Sequence, residues 1–267
     1  MQITKLKFSE KEVKEFNDFY LKGHTIKQVA EQFNVSYRDV LHYLIRFGFY
    51  KPTKNYGDKR KFKVDDYYFD NIDSDDKAYF LGLLLSDGYI CKELYAKRFG
   101  IALKCEDKYI LDYFNDKIAP DKKISKYKNS YKLSINSNRI YDKLVEYGFK
   151  EKKSTRDYHF PNIPETYIHS FIRGYFDGDG CVTIKKTGFS VVSIVCNSKI
   201  FLEEFANKLL EYGIKTRPLN VSYRTQQPLY TLYISRRENQ LKFKNFIYKN
   251  ASIYLKRKYN KFMLIPC

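Results

Sequence analysis

The chain carries two copies of one short pattern, and this duplication constrains its fold more than any other feature. The segments AYFLGLLLSDGYI (78–90) and SFIRGYFDGDGCVTI (170–184) share an apolar run, a glycine, three further residues, a small residue and then Asp-Gly. The aspartates are Asp87 and Asp179, and 179 − 87 = 92. One Asp-Gly after an apolar helix is an ordinary helix end and turn. Two copies at equivalent points predict a duplicated domain whose halves each begin with this helix.

Small residues spaced four apart indicate that the two helices pack closely together. Residues at i and i+4 share one helix face, and small side chains there let two backbones approach each other. If the helices meet through these faces, the acidic residue next in line on each lies beside its twin. The predicted helix interface consists of Gly82, Ser86, Gly174 and Gly178.

Two neighbouring carboxylates at helix C-termini point to a bound cation. The helix dipole disfavours negative charge at this end, and two carboxylates about 4 Å apart repel by about 4 kcal/mol at an effective dielectric of 20. A divalent metal or a shared proton relieves this repulsion. Oxygen ligands next to phosphates favour Mg²⁺, and paired metal sites promote phosphodiester hydrolysis.

After each repeated helix the pattern predicts two strands, a helix, two strands and a last helix, which makes the fold α+β. The boundaries are expected at 75–153 for the first repeat, 154–169 for a connection with Pro161 and Pro164, and 170–267 for the second repeat with a basic tail. The predicted strands are 89–94, 98–105, 123–128 and 131–136, then 181–186, 189–196, 215–225 and 229–236. The predicted helices are 106–118, 137–147, 198–212 and 237–249.

The balance of charge favours nucleic acid as the partner. The 267 residues include 49 Lys and Arg against 31 Asp and Glu, a net charge of +18. Such an excess attracts polyanions and drives binding through counterion release. A membrane surface is the second option, but no run of 18 apolar residues and no signal peptide is present. The five cysteines have no CxxC spacing and indicate a reducing, intracellular compartment, either cytoplasm, an organelle or a phage-infected cell.

Alternation within the strands predicts sheets with one apolar and one polar face. In YKLSIN (131–136), every second side chain is apolar and the others are Lys, Ser and Asn. An ordinary solvent-exposed sheet face has the same pattern, and only the net charge favours DNA. Arg and Asn can contact bases and Lys neutralises phosphates. The predicted DNA contacts on these faces are Arg98, Lys104, Lys132, Asn136, Lys185, Asn220, Arg224, Thr231 and Ser235.

Residues 1–50 are predicted to form three helices. Ser9 and Glu12 make a capping box for the first, and AEQFNVSYRDV (30–40) has the layout of a helix-turn-helix. In that motif the early residues of the second helix meet base edges, here Tyr37 and Arg38. A plain three-helix accessory bundle is the alternative. Residues 51–74, first basic and then acidic, are predicted to be a linker, with its KRKFK portion either along phosphates or simply solvated.

The two signature helices resemble those of the single-chain LAGLIDADG homing endonucleases, and the element order after them is similar over residues 75 to about 265. The resemblance implies two pseudo-symmetric αββαββα units that form a saddle on double-stranded DNA. It implies a monomer that cuts one strand near each acidic residue, across the minor groove, and leaves 3′ overhangs in a long, roughly palindromic target. It is compatible with an intron-encoded gene or with a free-standing one.

The same resemblance assigns the site residues. Asp87 and Asp179 would be catalytic and share two or three Mg²⁺ ions. Lys153 and Lys258 would be catalytic near the scissile phosphates, where they stabilise developing charge or orient water, unless these lysines only position phosphate at the surface. The family motif often has an acid two residues before the catalytic one, where this chain has Asp177 in one copy and Leu85 in the other. The metal site would include Ser86, Gly88, Gly178 and Gly180 beside the two aspartates.

Two other functions remain open on this scaffold. One is a DNA-binding regulator that does not cut, although both acidic residues are present. The other is a maturase that binds intron RNA. A complete intein is not expected, because no splicing segments flank the repeats in this sequence.

Overall fold

The computed structural model describes residues 7–50, 61–93, 96–151, 158–223 and 227–266. The chain divides into two compact units, Met1–Asp58 and Lys59–Cys267. Within the described ranges, no helix is both long enough and apolar enough to cross a membrane.

Residues 7–50, the described part of the first unit, contain three helices, each begun by a hydroxyl cap. The caps are Ser9, Thr25 and Ser36, and the first two form capping boxes with Glu12 and Gln28. Such caps satisfy backbone N–H groups that a helix leaves unpaired at its start. The helices are α1 (Glu10–Leu21), α2 (Ile26–Gln32) and α3 (Tyr37–Arg46). Their inner faces bury Val13, Phe16, Val29, Val40 and Leu44.

The second unit begins with the first repeat. Its single antiparallel sheet has the strand order β1-β2-β4-β3. The elements are α4 (Asp75–Asp87), β1 (Tyr89–Lys92), β2 (Lys97–Lys104), α5 (Lys108–Ile118), β3 (Ser125–Tyr127), β4 (Ser130–Asn136) and α6 (Asn138–Glu146).

The second repeat has the same element order, and its sheet runs β5-β6-β8-β7. The elements are α7 (Ile168–Asp179), β5 (Gly180–Ile184), β6 (Ser190–Cys196), α8 (Lys199–Glu211), β7 (Asn220–Ser222), β8 (Leu229–Ile234) and α9 (Arg237–Tyr248). A further helix, α10 (Lys256–Met263), follows. The predicted α+β class with two αββαββα repeats after a small all-α unit is confirmed.

Both sheets bury one face against helices. Phe99, Ile101 and Leu103 of β2 and Ile194 of β6 belong to a hydrophobic core shared with α4 and α7. The antiparallel register pairs Phe99 with Ile135, and Ile101 with Leu133. Because side chains alternate along a strand, the opposite face of each sheet carries the residues between these core positions.

Three segments differ from the sequence-based expectation. Strand β7 has three residues where 215–225 was predicted. Helix α10 lies in the segment expected to be a basic tail. Residues 68–72 lie within the predicted linker, yet Tyr68, Phe69 and Ile72 are buried in the core of the second unit.

Candidate functional site

Helices α4 and α7 pack with their backbones in contact. A Cβ added to Gly82 would lie 2.1 Å from the carbonyl oxygen of Phe171, and one added to Gly174 would lie 1.9 Å from that of Tyr79. Both distances are far below van der Waals contact, and the obstacle in each case is backbone. Glycine is therefore required at both positions for this approach.

The contact continues to the C-terminal ends of the two helices. A Cβ added to Gly178 would lie 1.9 Å from Ser86 Oγ and 3.2 Å from Asp87 Oδ2. The carboxylate of Asp87 thus lies beside the backbone of α7 one residue before Asp179. Asp87 is exposed and Asp179 is half-buried, so the structure brings the two acidic ends together at an accessible place.

The glycines after the aspartates end each helix and begin a strand. The N–H of Gly88 donates to Leu84 O, and that of Gly180 donates to Phe176 O, while both residues are extended. A Cβ on Gly88 would lie 2.4 Å from Leu84 O, and one on Gly180 would lie 2.1 Å from the Phe176 ring. The requirement for glycine at both positions comes from the abrupt change from helix to strand.

The hydroxyl of Ser86 is hydrogen-bonded to the backbone of its own helix. Its hydroxyl donates to Leu83 O at 3.0 Å, a common way for a helical serine to satisfy its polar group. The side chain is buried, and it fills the space opposite Gly178.

Lys258 lies directly beneath the end of α7. Its Nζ donates to the carbonyl oxygens of Phe176 at 2.7 Å, Gly178 at 2.9 Å and Gly180 at 2.6 Å. An ammonium has three N–H donors, so all three are directed at backbone. Phe176 and Gly178 lie in the last turn of α7, and a cation at a helix C-terminus is favourable.

The charge of Lys258 is coupled to the acidic groups. Burial lowers the pKa of Lys258 to about 8, while the negative charges of Asp177, Asp87 and Asp179 act in the opposite direction. The ammonium of Lys258 therefore interacts electrostatically with both acidic ends. The catalytic role expected for Lys258 near a scissile phosphate stays a prediction, and in the structure its ammonium is directed at the helix end.

Asp177 is the centre of a buried polar network that sequence reasoning missed. It accepts hydrogen bonds from Tyr79 Oη at 2.8 Å, Leu255 N at 2.7 Å and Tyr248 Oη at 3.4 Å. Burial raises its pKa to about 6, against the opposing effect of these hydrogen bonds and of Lys258. The acid two residues before Asp179 was the available signal, because a carboxylate inside an apolar helix face requires partners.

On the first sheet, four of the predicted DNA contacts share the face turned away from the core. Arg98 pairs with Asn136 across β2 and β4, and its Nε donates to Asn136 Oδ1 at 2.9 Å. Lys132 and Lys104 lie further along the same face, and Lys132 Nζ is 4.9 Å from the ring centre of Tyr89. This face is polar and basic.

The described part of the second sheet also carries predicted DNA contacts. Asn220 is exposed beside Thr231, which is only 9% accessible, and Lys185 is exposed in the turn after β5. Ser235 is half-buried and its Oγ is enclosed. Ser193 and Tyr233 pair across β6 and β8 on this face and belong to the same candidate surface. Strand alternation alone could have identified both residues.

The remaining predicted site residues fall elsewhere. Tyr37 and Arg38 begin α3 in the first unit and are exposed. Lys153 and Arg224 lie outside the described residues.

The donor set near the acidic ends suits a hard divalent cation that a substrate phosphate completes. Among the residues described, no three His, Cys, Asp or Glu side chains gather into a metal-binding group. The available donors are two carboxylates and the backbone around them. Mg²⁺ is commonly held by one or two carboxylates together with phosphate oxygens and water, so Asp87 and Asp179 fit this type of site.

Comparison with protein families identifies the second repeat. Residues 166–248 match the family model described as a LAGLIDADG-like domain. This stretch contains α7 with its acidic end and the whole second sheet. The second repeat is thus similar to a LAGLIDADG-like domain. The resemblance predicted from the signature helices is confirmed by this match.

Solved structures give the fold of the LAGLIDADG-like domain together with the repeat before it. The meganuclease I-SmaMI, bound to uncleaveable DNA, matches over 69% of this chain and 87% of its own, with a TM-score of 0.51 and 12% identity. At this identity the likeness shows a shared two-repeat fold. The homing endonuclease I-DmoI matches over 66% of this chain and 97% of its own, with a TM-score of 0.45 and 22% identity.

Two archaeal proteins share sequence with part of the chain. Both are described as probable translation initiation factor IF-2. The Thermococcus kodakarensis protein is 32% identical over 127 residues, which is 44% of this chain and 10% of that protein. The Methanocaldococcus jannaschii protein is 29% identical over 130 residues, 45% of this chain and 11% of its own length. The chain thus spans about a tenth of the length of these curated relatives.

Proposed function

We propose that this chain is a site-specific DNA endonuclease that hydrolyses one phosphodiester on each strand with the help of a divalent metal, for which Mg²⁺ is our choice. The observation that carries the proposal is the meeting of the two acidic helix ends, where Asp87 Oδ2 lies 3.2 Å from the Cβ position of Gly178. Its relatives in fold include DNA-bound nucleases, one of which is I-SmaMI.

The surroundings of this meeting point support DNA as the substrate. The first sheet turns Arg98, Lys104, Lys132 and Asn136 away from the core, and the net charge of the chain is +18. Basic and amide side chains on such a face neutralise phosphates and can read base edges. A single chain with two different repeats suits a monomer on a target that is only roughly palindromic.

The chemistry follows from the groups at the helix ends. Asp87 and Asp179 would hold the metal ions, with the backbone at Ser86, Gly88, Gly178 and Gly180 around them. When bound, such ions lower the pKa of water and stabilise charge on the attacked and leaving oxygens. The protein fixes where the two carboxylates lie, because both helices end abruptly and are locked together by glycine contacts. Lys153 is proposed to assist at the scissile phosphate of the first half, and one cut near each acid would leave 3′ overhangs.

The first unit is proposed to contact DNA beside the cleavage site. Tyr37 and Arg38 lie in the first turn of α3, where a helix-turn-helix presents residues to the major groove. In this role the unit lengthens the recognised sequence.

The test is a cleavage assay on duplex DNA that spans the gene's own insertion locus with the insert removed, with Mg²⁺ or with EDTA. We expect a discrete double-strand cut that requires metal. Asp87→Asn and Asp179→Asn should each slow double-strand cleavage by more than about 100-fold while DNA binding persists, because loss of even an outer partner of a metal ligand costs about 10–100-fold.

Asp116→Asn is the matched control, since Asp116 is an exposed carboxylate near the end of α5, away from the α4–α7 contact. It should cut like the unmodified protein. Tight DNA binding without any cut, in Mn²⁺ as well as Mg²⁺, would contradict the proposal and favour a regulator. Preference for intron RNA over the duplex in competition binding would favour a maturase.

A further inference from the structure

Residues 253–258, here called the C-terminal strap, connect the two repeats at the second acidic end. Ile253 and Leu255 are buried. On the side of the second repeat, Arg173 Nε donates to Ile253 O at 2.9 Å and Leu255 N donates to Asp177 Oδ2 at 2.7 Å. The strap backbone is thus attached to α7 through two buried charged side chains.

The first repeat holds the other side of the strap. Tyr109, in the first turn of α5, donates through Oη to Tyr254 O at 2.8 Å and accepts from Lys256 N at 2.7 Å. Asp107, 2% accessible, pairs with Arg257 Nε at 2.9 Å. A residue of the first repeat therefore contacts the strap on both sides of Leu255.

Lys258, the last residue of the strap, connects the strap to the second acidic end. Its ammonium joins the carbonyl oxygens of Phe176, Gly178 and Gly180, so it spans the turn that contains Asp179. Because its three donors point at backbone, Lys258 acts here by fixing that turn.

The first acidic end is built differently. At the interval of 92 residues, Asp177 corresponds to Leu85 and Arg173 corresponds to Leu81, and both leucines are buried. A leucine side chain can neither accept nor donate a hydrogen bond. The polar anchoring seen at the second end therefore has no counterpart at these two positions of the first.

We propose that Tyr109 and Asp107 of the first repeat are positioning residues for the second acidic end and act through the C-terminal strap and Lys258. This rests on the proposed endonuclease function. The strap ties the geometry around Asp179 to the first repeat, so the two strand cuts depend unequally on it. Loosening the strap slows one cut more than the other.

The test compares Tyr109→Phe with Tyr113→Phe. Both residues lie on α5 one turn apart, and each loses only a hydroxyl, but Tyr113 Oη donates to Asp76 at 2.6 Å and not to the strap. Single-turnover cleavage is followed with a different label on each strand. Tyr109→Phe should shift the ratio of the two strand-cleavage rates by about fivefold, the usual net effect of one hydrogen bond, and Tyr113→Phe should leave it unchanged. Asp107→Asn should shift the ratio in the same direction as Tyr109→Phe.

Amide hydrogen exchange over residues 176–184 provides a second readout that needs no DNA. Exchange should be faster in Tyr109→Phe than in Tyr113→Phe. Equal slowing of both strands, or an unchanged ratio with unchanged exchange, would overturn the proposal. If the unmodified protein cuts no DNA, the endonuclease assignment fails, and unchanged exchange would then separately overturn the anchoring of the turn.

Discussion

At the scale of single residues, the acidic ends depend on glycines that carry no chemistry. Gly82 and Gly174 occupy helix interiors, where glycine costs about 1 kcal/mol relative to alanine. Each faces a backbone carbonyl of the partner helix at a distance that excludes any Cβ. Backbone cannot move aside as a flexible side chain can, so the contact outweighs helix propensity.

Gly174→Ala should therefore destabilise the protein although alanine is the better helix former. The added Cβ would lie 1.9 Å from Tyr79 O and 2.9 Å from Leu83 N, and separating the helices should cost roughly 2–3 kcal/mol. Urea unfolding measured by circular dichroism checks this value.

Gly213→Ala is the control for the conformational effect of the methyl group. Gly213 has φ of +70° and nothing within 4 Å of an added Cβ, so only the left-handed backbone penalises alanine, by about 1 kcal/mol. A loss for Gly174→Ala no larger than this would show that the helices do not meet as described.

At the scale of elements, the sequence predicts those helices and strands whose side chains repeat with a regular spacing. Strand β2 was expected at 98–105 and is Lys97–Lys104, and α5 was expected at 106–118 and is Lys108–Ile118. Alternation and helical spacing arise from contacts within one element against one core. Strand β7 and helix α10 were misjudged, because both depend on contacts with distant parts of the chain.

Residues 66–72 are a further segment whose place in the fold depends on distant contacts and not on local periodicity. The stretch has no helical or strand periodicity, yet Phe69 is fully buried and packs against Phe114 and Tyr68. Arg139 holds this segment from outside by pairing with Asp70. Burial in a turn leaves no repeating pattern, so the sequence could not indicate that the segment joins the core.

Phe69→Ala should lose about 3–5 kcal/mol of unfolding free energy, as for other fully buried phenylalanines. Tyr67→Ala, two residues away, should lose less than about 1 kcal/mol, since Tyr67 is 64% accessible and contacts mainly the Arg139 guanidinium. Chemical denaturation of the two variants decides between a core segment and a linker, because a linker would give two similarly small losses.

At the scale of the whole molecule, the candidate site was predictable only in part. The duplicated Asp-Gly motif indicated Asp87 and Asp179, and strand alternation indicated the basic face of the first sheet. The sequence could signal that Asp177 needs partners but not which ones, because the bonds of Asp177, Arg173 and Lys258 join residues about 80 positions apart. Local patterns thus identify the candidate acidic residues, and long-range contacts determine how their helices are held.

Most of the positive charge that would attract DNA lies in the two repeats. Residues 1–58 contain 10 Lys and Arg against 7 Asp and Glu, so they contribute +3 and residues 59–267 contribute +15. Within the first unit, Lys7 Nζ pairs with Asp39 Oδ2 at 2.5 Å, which offsets the acidic side chain in the first turn of α3. In its proposed DNA-binding role, the first unit is therefore expected to add sequence-specific contacts more than general attraction.

Arg38→Ala tests whether α3 contributes sequence-specific contacts to DNA. On a duplex that includes both flanks of the cleavage site, affinity should fall by about 5–100-fold, since one good side-chain contact to a base is worth about 1–3 kcal/mol. On a duplex trimmed to the sequence that the repeats cover, affinity should not change. Lys14→Ala is the control, because Lys14 is an exposed lysine on α1 that pairs with Glu10 in the same helix. Titration by fluorescence anisotropy at fixed salt measures all four combinations. An equal loss on both duplexes, or a loss as large for Lys14→Ala, would mean that α3 does not read the flank.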